Sequence, residues 1–158
     1  MEVFEEEEEE LLGEQEEFDT ESTQIEQDEG KVDESYLDSE GLLTAGIGHL
    51  LTSEEQRKYP KGTPVPEAIV KAWYAEDLRE AKVDAEKFFT SENPEINNIL
   101  TNMAFNLGAT RLRGFKKFKA ALKAGDLEEA SRQMLDSKWS GQVHGRATRL
   151  AERMRNAG

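Results

Sequence analysis

The chain has 158 residues, a formal net charge of −14 and no cysteine, which excludes a disulfide framework and a thiolate metal site. The charge is unevenly placed: residues 1–30 hold 15 Asp or Glu and no Lys or Arg, whereas residues 111–158 hold 12 Lys or Arg against 5 Asp or Glu. No apolar run approaches the length of a membrane span, no secretory leader is expected, and the basic C-terminal third favours an anionic partner.

Residues 1–22 are dominated by "EEEEEELLGEQEE". Like charges this dense repel, so the segment reads as an acidic tail, either solvated and disordered or held by a partner. Val3, Phe4, Leu11, Leu12 and Phe18 would be its anchors. "ESTQIEQDEG" predicts a short helix stopped at Gly30. Residues 31–52 read as strands and turns. There the stretch "DSEGLLTAGIGHLLT" carries Gly41, Gly46 and Gly48, each of which would weaken a helix. A strand tolerates them where the backbone bends or something packs close, so a bent hairpin is expected.

Residues 66–90 predict one long helix, with Val70, Trp73, Tyr74, Leu78, Ala81, Ala85 and Phe88 at helical spacing. "NPEINNILTNMAFNLG" predicts a second, begun near Pro94 and stopped at Gly108. "GFKKFKAALKAG" and "DLEEASRQML" follow, the latter capped by Asp126 with Glu129 reaching back. "HGRATRLAERMR" closes the chain as an amphipathic helix. The fold class is therefore α+β, mostly helical, with a small β-hairpin lobe near the front joined by the long helix to a helical C-terminal lobe. The folded domain is expected over residues 23–158.

Few side chains offer chemistry. His49 and His144 are too few for a histidine metal site, and a lone histidine is more often structural. "GIGHLL" lacks the rest of a phosphate-binding glycine motif. Carboxylates remain: Glu29 at a helix end, Asp38 on the hairpin, and the Thr44 hydroxyl beyond it. Glycoside hydrolysis needs one carboxyl to protonate the leaving oxygen and a second to activate water or stabilise positive charge. Spacing alone does not select this pair, because a chain with 34 acidic residues offers many solvated alternatives.

The segment "DEGKVDESYLDSEGLLTAGIGHLLT" resembles the catalytic segment of the T-even type of bacteriophage lysozymes, with the spacing E-x8-D-x5-T followed by Gly-x-Gly-His. "TNMAFNLGATRLRGFKKF" resembles that family's core helix. "SKWSGQVHGRATRLAERMR" resembles its C-terminal segment, with Trp139, Gln142, Arg146 and Arg149 in step. The likeness covers residues 23–158.

It implies a lysozyme-like fold and a cofactor-independent muramidase acting on peptidoglycan glycan strands. Glu29 would be the general acid, Asp38 the carboxylate that positions water, and Thr44 its neighbour. Arg146 would hold Glu29, and His49 would pair with Asp77. Leu50, Phe105, Phe118 and Gln133 would contact substrate, and Gly46 and Gly48 would let backbone and glycan approach closely.

The sequence departs from the family in "KVDESY", where Lys31, Asp33 and Ser35 replace apolar alternation, and in the acidic N-terminus. That segment suggests docking to a phage structural protein. The resemblance thus leaves two settings open, a monomeric endolysin held in the host cytoplasm until release to the wall, or an enzyme carried in the virion. A silent lysozyme-like module and a nucleic-acid binder are the other readings. The intact Glu29, Asp38 and Thr44 weigh against the first, and the lack of a recognition motif weighs against the second.

Overall fold

The computed structural model describes residues 2–158, with side chains described from Glu5 onward. The expected anchors Val3 and Phe4 therefore lie outside the described side chains. The chain divides into two compact units, Thr23–Glu80 and a helical unit of Met1–Ser22 with Ala81–Gly158.

The first helix is much longer than its C-terminal stop alone implied. α1 runs Glu2–Glu29 without interruption. Glutamate is a good helix former, so intrinsic propensity supports turns that charge repulsion opposes. Glu5 to Leu12 are exposed throughout, with Leu11 64% and Leu12 65% accessible. From Phe18 onward the helix is anchored. Lys82 lies over the Phe18 ring at 4.6 Å, Glu21 is buried, and Ile25 is fully buried. The acidic segment up to residue 22 is thus helical, and its last turn is built into the helical unit.

In the small unit a three-stranded antiparallel sheet has the order β1 (Val32–Leu37), β2 (Leu43–Gly46), β3 (His49–Leu50). β1 is mostly exposed, as its polar residues imply, and its register with β2 is irregular between Val32 and Tyr36. Ser35 is the exception. It is buried, its hydroxyl donates to the Pro60 carbonyl at 2.6 Å, and it accepts from the Thr63 amide at 3.2 Å. A buried serine is tolerated here because both its donor and its acceptor are satisfied. The short α2 (Ser53–Lys58) has a capping box, with Thr52 and Glu55 each bonded to the other's backbone. Ala45, Ile47, Leu51, Tyr59, Val65, Val70 and Trp73 form this unit's core.

α3 (Glu67–Phe88) carries the expected apolar face, and that face serves two cores. Val70 and Trp73 join the sheet cluster, while Ala81, Ala85 and Phe88 join the helical one. α4 (Pro94–Arg113) opens on an Asn93 cap and continues past the expected stop. Gly108 does break it locally, at φ 78° and ψ 163°, and the chain then re-enters helix as far as Arg113. A glycine takes that left-handed φ at little cost. α5 (Lys116–Lys123), α6 (Leu127–Leu135) and α7 (Lys138–Arg155) complete the unit, α7 kinking at Val143 and His144. Its core includes Ile99, Leu100, Met103, Phe118, Met134, Trp139, Leu150 and Met154.

A polar chain crosses this helical core. Arg153 donates to Glu21 Oε1 at 2.6 Å and to Glu95 Oε1 at 2.7 Å. Asn102 Nδ2 donates to Glu21 Oε2 at 2.8 Å, and Arg146 Nε donates to Asn102 Oδ1 at 2.8 Å. Burial disfavours the Arg153 charge, and the bonds to Glu21 and Glu95 more than offset it, so the guanidinium is held protonated.

Candidate active site

The sheet brings several chemistry-bearing residues to one face. Tyr36 stands opposite Thr44, and Thr44 opposite Leu50. Directly opposed residues of antiparallel strands project to the same side, so these three form a row across the sheet. Thr44 is buried and its hydroxyl donates to the Leu42 carbonyl at 3.0 Å, which leaves the oxygen's lone pairs to accept. Leu50 is 54% exposed and presents an apolar surface.

Asp38 opens the turn between β1 and β2. Its backbone closes the turn through Asp38 N–H to the Leu42 carbonyl at 2.9 Å and Gly41 N–H to the Asp38 carbonyl at 3.0 Å. Its side chain does more. The Oδ1 atom accepts from the amides of Glu40 at 2.9 Å and Leu42 at 2.8 Å. Two amides on one oxygen fix the carboxyl plane.

Glu29 ends α1, and Gly30 turns the chain away at φ 74°. The Glu29 carboxylate packs against the backbone of Gly48 so closely that a Cβ added there would lie 2.6 Å from Glu29 Oε2. Gly48 also sits at φ 65°, so two constraints select glycine. Gly46 has the same character, at φ 64° with Val70 Cγ1 at 3.1 Å from an added Cβ. The close approaches that these two glycines permit are therefore made by Glu29 and Val70.

Tyr36, which motif reading passed over, lies within the field of both carboxylates. Burial raises the pKa of its phenol, and the charges of Glu29 and Asp38 raise it further. It lies near the end of β1, two residues before Asp38 in the turn, and its pairing with Thr44 is the strand-register signal that places it.

Beside this row, His49 bridges two carboxylates. Its Nδ1 is 2.7 Å from Asp77 and its Nε2 2.8 Å from Glu55. Its ring stacks on Trp73 at 4.3 Å between centroids. Burial pushes the His49 pKa down, but the hydrogen bonds and charges of Asp77 and Glu55 outweigh it and the net shift is upward. His49 is thereby occupied on both nitrogens. Glu55, which the sequence reading did not single out, is its second partner.

The remaining sequence-predicted positions belong to the helical unit. Arg146 is buried and bonded to Asn102. Phe105 is half-buried against the helical core. Phe118 and Gln133 line one open pocket of about 340 Å³ with Phe115. Phe118 is only its floor, 1% exposed and stacked on Phe88, while Gln133 stands at the rim and donates to Glu129 at 2.8 Å. Among the described residues, no three His, Asp or Glu side chains converge as metal ligands would, and no helix is long and apolar enough to cross a membrane.

Comparison with known proteins agrees with this layout. The phage lysozyme family model matches residues 26–157. A probable T4-type lysozyme 1 from Dictyostelium discoideum is 27% identical over 146 residues, covering 78% of this chain and 86% of that protein. The pre-baseplate central spike protein Gp5 of Enterobacteria phage T4 is 28% identical over 148 residues, covering 80% of this chain and 26% of Gp5. The peptidoglycan hydrolase gp36 of Pseudomonas phage phiKMV is 32% identical over 125 residues, covering 77% of this chain and 13% of gp36. The matched region contains Glu29, Asp38, Thr44 and helices α2 to α7, and the chain belongs to the phage lysozyme family.

Proposed function

We propose that the chain hydrolyses the β-1,4 bond between N-acetylmuramic acid and N-acetylglucosamine in bacterial peptidoglycan, with inversion at the anomeric carbon. The observation that carries this is the contrast between two carboxylates of the small unit. Asp38 is clamped by backbone amides, and Glu29 is seated against Gly48. The related proteins named lysozyme and peptidoglycan hydrolase support the substrate class.

In this reading Glu29 gives its proton to the leaving glycosidic oxygen. Asp38 Oδ2 accepts a proton from the attacking water, and the Thr44 oxygen orients that water. Positive charge that develops on the sugar ring is met by the Asp38 carboxylate. Leu50, Phe105 and Gln133 contact the glycan, with Phe118 beneath. No cofactor is needed, because the step uses two carboxyl groups and water.

Two settings fit. One is release from the host cytoplasm to the wall at lysis. The other is a virion, and it is favoured by the exposed acidic half of α1 together with the likeness to a phage spike protein. A phage structural protein would then dock on residues 1–22.

The test uses two variants. Asp38→Asn keeps an Oδ1 acceptor for the turn amides and loses the charge, whereas Asp38→Ala loses both. Both should lose hydrolysis, and only Asp38→Ala should lose stability, by about 1–2 kcal/mol for two exposed turn bonds. Fresh wild-type product read by proton NMR should be the α-anomer. Full activity in Asp38→Asn, or a β-anomer formed first, contradicts the mechanism.

A further inference from the structure

The helical unit contains a second concave site, of about 430 Å³, that the hydrolytic reading does not use. Five cations line it, Lys87, Arg113, Lys116, Lys119 and Lys123, against the single carboxylate Asp84. In a chain with 34 acidic residues, none of these five cations forms an ion pair among the described residues. Arg153 in the same unit shows the alternative, a cation held by two carboxylates.

The local sequence also works against stability here. α5 begins at Lys116 with Lys117 next, has no acidic residue in its first turn and no side-chain cap. Cations at a helix N-terminus oppose its dipole. α6, by contrast, is capped by Asp126 and carries Glu128 and Glu129 in its first turn. Lys116, Lys119 and Lys123 fall at i, i+3 and i+7, so they share one face of α5 and converge on the cavity. The floor is apolar: Phe88 lies beneath Lys119, whose Nζ is 5.5 Å from the ring centroid, and small alanines border it.

A ring of unpaired cations over an apolar floor matches a ligand with a compact anionic group and a carbon-rich face. The volume exceeds that of a bare phosphate and falls in the ordinary range for small ligands, roughly 300–1,000 Å³. We propose that this cavity binds a phosphorylated sugar of the cell envelope, with the phosphate on Lys116, Lys119 and Lys123 and the sugar against Phe88. The envelope as source rests on the wall-directed reading above. The binding itself is measured without hydrolysis, so the two fail separately.

The full chain is titrated with N-acetylglucosamine 1-phosphate and followed by amide NMR, at about 0.15 M salt to screen non-specific attraction. Amides of residues 84–88 and 109–123 should shift and saturate. N-acetylglucosamine should leave them unmoved, and inorganic phosphate should bind more weakly. A Lys119→Glu/Lys123→Glu variant should bind roughly tenfold more weakly and clear phosphate-free peptidoglycan at the wild-type rate. Lys119→Gln/Lys123→Gln repeats the test without added charge and guards against misfolding. Equal shifts with the neutral sugar, equal affinity for inorganic phosphate, or shifts confined to other residues overturn the proposal. So does a short DNA duplex that displaces the sugar phosphate at lower concentration, which assigns the cavity to nucleic acid.

Discussion

In the helical unit, Glu21 is held by side chains: Arg153 and Asn102 both donate to it, and it is 3% exposed. In the small unit, the Asp38 carboxylate is held by backbone, and Glu29 packs against it. Two turn amides fix Asp38, and the bare Cα of Gly48 makes room for Glu29. A carboxylate saturated by buried donors has no oxygen left for a substrate. Asp38, bound through Oδ1, has its second carboxylate oxygen outside those two bonds. The same side-chain type is thus saturated by buried donors in one unit and, in the proposed function, used for reaction in the other.

The largest expected effect is at Glu21. Glu21→Ala leaves Asn102 without its acceptor and Arg153 with only the half-exposed Glu95. Breaking a buried pair costs about 3–5 kcal/mol, and retention of Glu95 puts this case near the lower figure. Urea unfolding measures it. A loss under about 1 kcal/mol would show that the network contributes little, as exposed ion pairs do. Activity per folded molecule should persist.

Gly48→Ala is the mirror case. Its Cβ would meet Glu29 Oε2 and its φ of 65° disfavours a side chain, so about 1–3 kcal/mol of strain is expected. Here hydrolysis should fall more than folding does, because Glu29 must move. Equal losses in both would mean that Gly48 serves the fold alone.

The His49 cluster sharpens the comparison through pH. His49 has a folded pKa above its unfolded value of about 6.5. Its contribution is therefore fully present below about pH 6.5 and is lost as pH rises through the raised value. Burial raises the pKa of Glu55, but its bonds to Thr52 and His49 prevail and lower it, so its contribution is present above the unfolded value and lost on acidification. The stability gap between wild type and His49→Gln should be wide near pH 5.5 and narrower near pH 8. A gap that widens at pH 8 contradicts the assignment.

The smallest effect is expected from the exposed start of α1. Removing residues 2–12 should change stability by under about 0.5 kcal/mol and leave hydrolysis of isolated walls intact. Extending the deletion through Glu21 should destabilise as Glu21→Ala does. Equal outcomes for the two truncations would erase the boundary drawn between exposed and anchored turns.

Much of this was legible in the sequence, and for physical reasons. The α3 periodicity announced one helix, although it could not say that Val70 and Phe88 belong to different cores. Gly30 gave the end of α1 through its left-handed φ. The start of α1 was hidden, because charge density argues for solvation while glutamate propensity argues for helix. Gly108 broke the pattern without ending the helix, since one glycine can absorb a kink. α2 had its Thr52–Glu55 capping box in plain view, but six residues carry no periodicity to reinforce it. For the site, Glu29, Asp38 and Thr44 came from a motif. Tyr36 needed strand register, and the second partner of His49 needed tertiary structure.

The most direct measurement of the central claim is peptidoglycan clearance by Glu29→Gln beside wild type, with both melting curves recorded. Glutamine keeps the side chain's size beside Gly48 and cannot give up a proton. A rate loss on the order of 10²–10⁴-fold, typical for removal of a general acid, is expected, with Tm within about 2 °C of wild type. Clearance near the wild-type rate by a folded Glu29→Gln protein would contradict it.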